Sequence, residues 1–546
     1  MTAADRRPLE VTSGKTFHDW LLRNVGGPEL PGFFVRGGEL VRVPKVGEDG
    51  YIAAPSEGDD DGPAQVRPAD ARVLRAVIAH RFDCFKVKES KGVVEEIDVL
   101  PTLDPVVTFT AGVGEPAVRT PRLDVVAHSP VLRPDGTVLD RPGYDKQSKT
   151  LYLPPDDLHR IEPVPARPTD AQVAAAIELL LEPFAEFPWV TESDKATYLG
   201  MTMFTPVLRP LVPPPYPALA LSAHQQGSGK TLLAELPRIL HGGVLRSELS
   251  AHDEEVRKSI HAVLRTTTGP IVTFDNVTGI VRSGAFAMLL TAREWSDRTL
   301  GGNSHEIAVN DRVWVLTGNN LALGGDIPRR VVWARIDPNT PRPWLRTGYK
   351  HPNLPGYFTA HRGEILRAIL IVARAWVLAG RPSVDDGRAD NYGHFIGQVG
   401  GLLRFMGLEG VFADPAVAEE ASPVATEDDE AYDFLHALQV RFSGDPFTAA
   451  DLAKLVTTTS SKLKVNEKAE AGNSYATFHP VKDDDAEIVE NLPGELAQRM
   501  DRGGFTKSLG WWLTNRVGRW VGSSPALVLR KSGAGHRRLY HVEVRP

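Results

Sequence analysis

The segment with the clearest chemical signature is His224–Thr231, which reads HQQGSGKT. It lies between an apolar run and a helical pattern, and closely spaced glycines let backbone N–H groups surround an anion there. The lysine of such a loop bridges the β- and γ-phosphates, and the next hydroxyl ligates Mg²⁺. The usual pattern begins with glycine; His224 replaces it without removing a phosphate ligand. Against the alternative of a chance run of small residues, we predict an ATP and Mg²⁺ site at Gln226, Gly227, Ser228, Gly229, Lys230 and Thr231.

A candidate metal-binding carboxylate, Asp275, follows the apolar run IVTF. A carboxylate at the tip of a strand orders Mg²⁺ and its water shell. The next position of such sites usually carries a second acid that polarises the attacking water, but here it is Asn276. An amide orients water but cannot accept its proton, so hydrolysis is expected to be slow unless Glu294 or Asp297 assists. The alternative is a strand-end aspartate that caps the next turn.

Polar residues also follow a third apolar run, which reads VWVLT. We predict that Asn319, or alternatively Asn320, contacts the γ-phosphate. The sequence DIPRRVV then places Arg329 and Arg330 just before a further strand. Paired arginines there could reach the nucleotide site of a neighbouring subunit, where such a residue accelerates hydrolysis by about 10³-fold or more. Surface ion pairs are the alternative.

The stretch DRTLGGNSHEIAVNDR predicts a β-hairpin between the second and third strands. Arg298 is expected near its base, with Asn303, Ser304 and His305 near its tip. A polar tip with a basic group can contact a DNA backbone. A plain connecting hairpin is the alternative.

Four short apolar runs alternate with helical patterns through the central part of the chain. A parallel sheet covered by helices has this signature, because its buried strands are continuously apolar. The carboxyl ends of such strands would carry the residues described above. The runs span residues 218–222, 271–274, 313–317 and 331–336.

The order of these parts resembles the superfamily 3-type AAA+ replicative DNA helicases, above all the ATPases of phages, plasmids and integrated islands. The upstream phrase VVAHSPVLRPDGTVLDRPGYD is similar to a segment of such proteins, and the resemblance covers roughly residues 120–410. It implies a ring, expected to be a hexamer, with ATP between subunits and single-stranded DNA in the channel. The residues that it carries over are Lys230, Thr231, Asp275, Asn319 and one of Arg329 and Arg330.

The carboxy-terminal region has a separate basic signature, although the whole chain has a net charge of −7. Residues 502–545 contain nine Lys or Arg residues and one acid, which gives a local charge of +8. A helix that starts at Thr448, an amphipathic helix with its tryptophans expected in the core, and a final β-hairpin predict a winged-helix-like domain that binds duplex or origin DNA. A solvated surface is the alternative. The predicted DNA contacts are Arg516, Arg519, Arg530, Lys531, Arg537 and Arg538.

The length of 546 residues predicts three or four domains, and the whole is expected to be a multidomain α/β protein. No apolar run is long enough for a membrane span, the amino terminus lacks a secretory pattern, and Cys84 is the only cysteine, so a cytoplasmic location is expected. The predicted parts are a β-rich N-terminal domain (1–160), a helical collar (161–215), an AAA+ P-loop NTPase core (216–341), a helical extension (342–411), an acidic linker (412–430) and a C-terminal winged-helix-like domain (431–546).

Two functions fit these features. The first is an ATP-driven helicase or translocase that works in the replication of a mobile element. The second is an ATP-binding DNA-binding or assembly protein that hydrolyses ATP only weakly, which Asn276 favours. A small-molecule kinase agrees poorly with the paired arginines and the basic terminal region.

Overall fold

The chain divides into two compact units, Met1–Ala418 and Glu419–Pro546. The computed structural model describes residues 6–11, 14–44, 46, 66–90, 93–158, 161–223, 225, 227–246, 249–250, 253–277, 280–298, 305–319, 321–338, 340, 342–384, 391–410, 412, 423–470, 479–500, 503–521, 526–533 and 538–545. Within these residues no helix has the length and apolarity needed to cross a membrane.

The amino-terminal part of the first unit, which was predicted to be β-rich, combines short strands with helices. Its small sheets have the orders β1-β5-β6, β2-β3-β4 and β10-β11-β7, beside the pair β8-β9. The elements are β1 (Arg7–Glu10), α1 (Gly14–Asn24), β2 (Phe33–Arg36), β3 (Glu39–Arg42), β4 (Arg67–Pro68), α2 (Ala71–Arg81), β5 (Phe82–Ser90), β6 (Val93–Asp98), α3 (Leu103–Ala111), β7 (Val125–Ala127), β8 (Val131–Leu132), β9 (Val138–Leu139), β10 (Gly143–Asp145) and β11 (Thr150–Tyr152).

The rest of the first unit contains the helical collar, the central sheet and a helical extension. A π-helical turn, Gly200–Phe204, joins the collar helices Glu192–Leu199 and Thr205–Leu208. The elements are α4 (Asp170–Leu181), α5 (Glu192–Leu199), α6 (Thr205–Leu208), β12 (Ala218–Ala223), α7 (Lys230–His241), β13 (Gly243–Arg246), α8 (Asp253–Thr266), β14 (Ile271–Phe274), β15 (Ile280–Val281), α9 (Gly284–Thr291), β16 (Glu294–Arg298), β17 (His305–Val309), β18 (Val313–Asn319), β19 (Ala322–Leu323), β20 (Val331–Ile336), α10 (Leu354–Ala360), α11 (Arg362–Leu378) and α12 (Gly393–Phe405).

The central sheet has five parallel strands in the order β13-β14-β18-β12-β20. The four predicted runs form the three inner strands β14, β18 and β12 and the edge strand β20. The fifth strand, β13, was not predicted. Its side chains are half-buried or exposed, so it lacks the continuous apolar signal of the other four strands.

Two side chains of the collar fix α5 against the sheet and its first helix. Asp194, which is buried, accepts hydrogen bonds from Arg335 of β20, with the guanidinium Nε at 3.1 Å. The Tyr198 hydroxyl donates to the backbone carbonyl of Leu233 in α7 at 2.8 Å. The collar therefore holds both the edge strand and the helix that follows the glycine loop.

The second unit combines helices with a small antiparallel sheet of order β21-β22-β23. The helix α13 begins at Pro423, within the segment predicted as an acidic linker. Thr448 caps the next helix as predicted, because its hydroxyl accepts from the Asp451 N–H at 3.1 Å. The elements are α13 (Pro423–Phe442), α14 (Ala449–Glu470), α15 (Asp483–Glu490), α16 (Gly494–Ala497), α17 (Phe505–Arg516), β21 (Trp520–Val521), β22 (Ala526–Ser532) and β23 (Leu539–Arg545).

A buried charge cluster joins the amino-terminal strands to the central sheet. The Asp311 carboxylate, just before β18, accepts from Arg209 Nη1 at 2.9 Å and Arg36 Nη2 at 3.2 Å, and it pairs with Arg312. Burial by itself would raise the pKa of Asp311, but the surrounding guanidinium groups lower it below its usual value. Since Arg36 belongs to β2, this carboxylate connects two layers of the unit.

We expect Asp311→Ala to lower the free energy of unfolding by about 3–5 kcal/mol, because it leaves buried guanidinium groups without their counter-charge. Equilibrium denaturation of the purified chain measures the change. Asp124→Ala is the matched control; its carboxylate pairs with Lys149 at 3.5 Å with both side chains exposed, and the expected loss is below about 1 kcal/mol. Equal losses in the two variants would contradict this account.

Candidate functional site

Three adjacent strands bring the predicted site residues to one edge of the sheet. β18 lies between β12 and β14, and Asn319 at its end is in register with Ala223 at the end of β12. Asp275 follows β14 directly. Because parallel strands present their carboxyl ends on the same side, the loop after β12 meets Asp275 and Asn319 there.

Lys230 is the buried cation of this edge, with 9% of its surface exposed. Its ammonium donates to the Asn319 Oδ1 at 2.6 Å, the Gln225 carbonyl at 3.0 Å and the Ser228 Oγ at 3.0 Å. Each of these partners is neutral, and within the described residues no carboxylate forms an ion pair with Lys230. Burial lowers the pKa of Lys230, and the charge of Asp275 opposes that effect. A buried ammonium with neutral partners is stabilised by an anion, such as a phosphate.

The loop itself has the backbone shape that surrounds an anion. Gly227 and Gly229 have φ angles of 72° and 100°, a region that residues with side chains avoid. Gly229 is the N-cap of α7 and supplies no side-chain hydrogen bond, so the first N–H groups of that helix are available to a ligand. His224 and Gln226 lie outside the described residues.

A hydroxyl and a carboxylate suited to Mg²⁺ lie beside Lys230. The Thr231 Oγ1 is 3.4 Å from the Asp275 Oδ1, and the Thr317 Oγ1 donates to the same oxygen at 2.5 Å. Within the described residues no group of three or more His, Cys, Asp or Glu side chains is arranged to hold a metal ion. Mg²⁺ often uses one or two protein ligands together with substrate phosphates, and this pair of side chains fits that mode.

Asn276 adopts a left-handed backbone conformation, with φ of 56°, that asparagine tolerates better than most residues. Its N–H donates to the Thr317 Oγ1 at 2.9 Å, and its side chain is exposed. Of the two acids proposed to assist, Asp297 already pairs with Arg257 at 3.0 Å, while Glu294 is exposed at the start of β16. The roles of these acids stay predictions.

Thr317 was not among the predicted site residues. Its hydroxyl bridges Asp275 and the backbone of Asn276, so it fixes both residues at the end of β14. The available signal was the alternation of a strand, which places Thr317 on the same face as Asn319.

The paired arginines differ in their exposure and in their contacts within the chain. They form a 3₁₀ turn, Pro328–Arg330. Arg330 is 15% exposed and donates to the Ala287 carbonyl and to Asp326, whereas Arg329 is 69% exposed and meets only Asp326, at 3.0 Å, among its described partners. Of the two, Arg329 therefore has the more accessible side chain.

Asn320, the alternative to Asn319, lies outside the described residues.

The predicted hairpin is present as β16 and β17, which pair from Glu294 opposite Val309 to Arg298 opposite His305. The tip with Asn303 and Ser304, and the side chains of Arg298 and His305, lie outside the described residues. The Ile307 N–H of this hairpin donates to the Glu39 carboxylate at 3.1 Å.

The predicted DNA contacts of the second unit fall into two groups. Arg516 lies 4.1 Å from the Trp512 ring centre and 3.7 Å from Glu495, and Arg530 pairs with Glu543 at 2.9 Å, so both have structural contacts. The cations with exposed side chains are Arg519, Lys531 and Arg538. Arg537 lies outside the described residues.

The tryptophans of this unit are not all in the core, contrary to prediction. Trp512 is buried, but Trp511 is 65% exposed and Trp520 is 40% exposed. Trp511 lies four residues after Lys507 in α17, so the two share one exposed helix face.

Comparisons with known proteins find distant structural matches to this chain. No family model matches the chain, and none of the curated proteins does. A solved structure described as the A form apo structure of the NrS-1 C-terminal region is 11% identical, with a TM-score of 0.30, and the match covers 88% of this chain and 100% of that chain. A second structure of that region gives 12% identity, a TM-score of 0.26 and coverage of 87% and 100%. At these TM-scores the resemblance does not establish a shared fold.

We expect Lys230→Ala to weaken Mg²⁺–ATP binding and to lower hydrolysis by at least about 100-fold, because it removes the buried cation next to the loop. Equilibrium binding and steady-state phosphate release measure the two effects. Lys258→Ala is the control, since that lysine is exposed in α8 and pairs with Glu255 at 2.9 Å. Near-normal binding and hydrolysis by the Lys230 variant would refute the site.

Proposed function

We propose that the chain is an ATP-dependent DNA helicase or translocase of the superfamily 3 AAA+ type, acting in the replication of a mobile element. The observation that carries this proposal is the buried Lys230 ammonium, held by neutral oxygen atoms at the end of a glycine loop. Such a cation with a helix N-terminus beside it is suited to the phosphates of a nucleotide.

In this proposal each residue at the carboxyl edge of the sheet has a separate role in ATP hydrolysis. Lys230 would bind phosphate oxygens, while Thr231 and Asp275 would hold Mg²⁺. Asn319, which contacts the Lys230 ammonium, would position that ammonium and meet the terminal phosphate. Asn276 would orient water without taking its proton. The chemistry that Mg²⁺–ATP supplies when bound is the transfer of its γ-phosphoryl group to water.

A ring, with a hexamer as the expected form, would complete this site from a second subunit. The support from this chain is Arg329, whose side chain is 69% exposed beside the turn that leads into β20. A guanidinium from a neighbouring subunit stabilises the charge of the transferred phosphoryl group. DNA would pass through the channel of this ring.

The second unit is proposed to bind duplex or origin DNA through its hairpin β22–β23. Lys531 at the end of β22 and Arg538 just before β23 are both exposed, and the segment around them has a strong positive charge. Phosphate contacts of this kind dominate the affinity for DNA and make it depend on salt.

A second candidate function is favoured by Asn276 alone. A chain that binds ATP without a carboxylate next to Asp275 could act as a nucleotide-dependent DNA-binding or assembly protein with weak hydrolysis. In that case nucleotide binding, rather than its turnover, would change the affinity for DNA.

Strand displacement distinguishes the two functions. We expect the chain to unwind a forked duplex with Mg²⁺–ATP and to fail with a non-hydrolysable analogue, because movement requires repeated hydrolysis. The measured quantity is the release of a labelled strand. Equal DNA binding with both nucleotides and no unwinding with either would support the second candidate and refute the first.

The Lys531→Ala/Arg538→Ala double variant tests the DNA face of the second unit. Each lost phosphate contact should reduce the slope of log K against log salt by about 0.9, so the double variant should lose about 1.8. Binding to a duplex, measured from low to moderate salt, gives this slope. Lys454→Ala is the control, because that lysine is exposed on α14. An unchanged slope in the double variant would exclude this hairpin as the DNA contact.

A further inference from the structure

An apolar cavity of about 370 Å³ lies against the glycine loop. One of its walls is the segment Pro183–Pro188, which follows the collar helix α4, and the other is formed by Pro338, Thr340 and described residues from Pro343 to Pro355, which follow β20. Gly227, Ser228 and Gly229 line the side that faces the loop. The cavity is therefore next to the position proposed for the phosphates.

Aromatic rings cover both loop glycines from this side. The Trp344 ring is 3.1 Å from the point where a Cβ on Gly227 would stand, and the Phe187 ring is 3.1 Å from the same point on Gly229. Trp344 is 60% exposed, so part of its ring is accessible to a flat ligand, whereas the Arg346 guanidinium lies 4.8 Å from the centre of the Tyr349 ring. Stacking against such rings stabilises a bound base irrespective of its identity.

The charged, imidazole and amide side chains of the walls already bind other parts of the chain. Glu186 pairs with Arg346 at 3.6 Å and accepts from the Lys350 N–H at 2.8 Å. His351 contacts Glu182 at 2.8 Å, and the Asn353 side chain accepts from the Gly356 N–H at 3.0 Å as the cap of α10. Apolar rings and prolines make up most of the remaining lining.

We infer that this cavity binds the purine base of the nucleotide by stacking, without side chains that read the edge of the base, so that ATP and GTP bind equally well. This inference rests on the proposed nucleotide site. A site rejects an analogue strongly, by about 10⁴-fold or more, only when its polar groups are arranged to hydrogen-bond one form. Adenine and guanine have similar stacking area and differ in their edge groups, so stacking alone does not distinguish them.

Equilibrium binding of Mg²⁺ with non-hydrolysable ATP and GTP analogues tests the inference on the full chain. We expect dissociation constants within ten-fold of each other. Trp344→Ala should weaken both analogues by a similar factor of about 5- to 150-fold, because it removes one stacking face. Trp344→Phe, which keeps a ring, should restore most of the affinity. Leu345→Ala is the control, since Leu345 is 61% exposed in the same turn and does not line the cavity.

The outcomes separate this inference from the proposed function. Tight binding of the ATP analogue with a preference of more than about 100-fold over GTP would overturn base tolerance and leave the nucleotide site intact. Normal binding of both analogues by Trp344→Ala, with unchanged thermal unfolding, would overturn the cavity as the base site. Failure of the wild-type chain to bind either analogue would overturn both proposals.

Discussion

The candidate site depends on the hydrogen bonds that hold the buried Lys230 ammonium. A charge that is 9% exposed requires hydrogen-bond partners, and it takes them from the loop backbone, from Ser228 and from Asn319 on a different strand. Because β18 lies next to β12, its last residue brings an amide oxygen within 2.6 Å of the lysine. The neutral character of all three partners leaves the positive charge available to a phosphate.

The surrounding architecture holds this edge of the sheet from two sides. Asp194 of the collar accepts a hydrogen bond from the edge strand β20, and Tyr198 of the collar donates one to α7, the helix after the glycine loop. Asp311 connects the amino-terminal strands to the start of β18. The same collar continues into the segment that forms one wall of the cavity beside the loop. The positions proposed for the phosphates and for the base thus lie beside elements that these hydrogen bonds connect to the rest of the unit.

The sequence predicted the centre of the first unit well because its strands are continuously apolar. Two of the predicted runs, 271–274 and 331–336, coincide with β14 and β20. The edge strand β13 escaped prediction because its side chains are partly exposed. Thr317 was missed because it lies within an apolar run, although strand alternation places it on the same face as Asn319. The cavity walls were missed because proline-rich loops show no periodicity and only tertiary contacts bring them to the site. The exposure of Trp511 could have been predicted, because the buried Phe505, Leu509, Trp512 and Leu513 follow the helical repeat and position 511 lies outside it.

A structure of the chain with Mg²⁺ and a non-hydrolysable ATP analogue tests the central claim most directly. The account predicts a phosphate oxygen within hydrogen-bond distance of Lys230 Nζ, with Thr231 and Asp275 at the metal and Asn319 still in contact with the lysine. An analogue bound elsewhere on the chain, with Lys230 keeping only Gln225, Ser228 and Asn319 as partners, would contradict it.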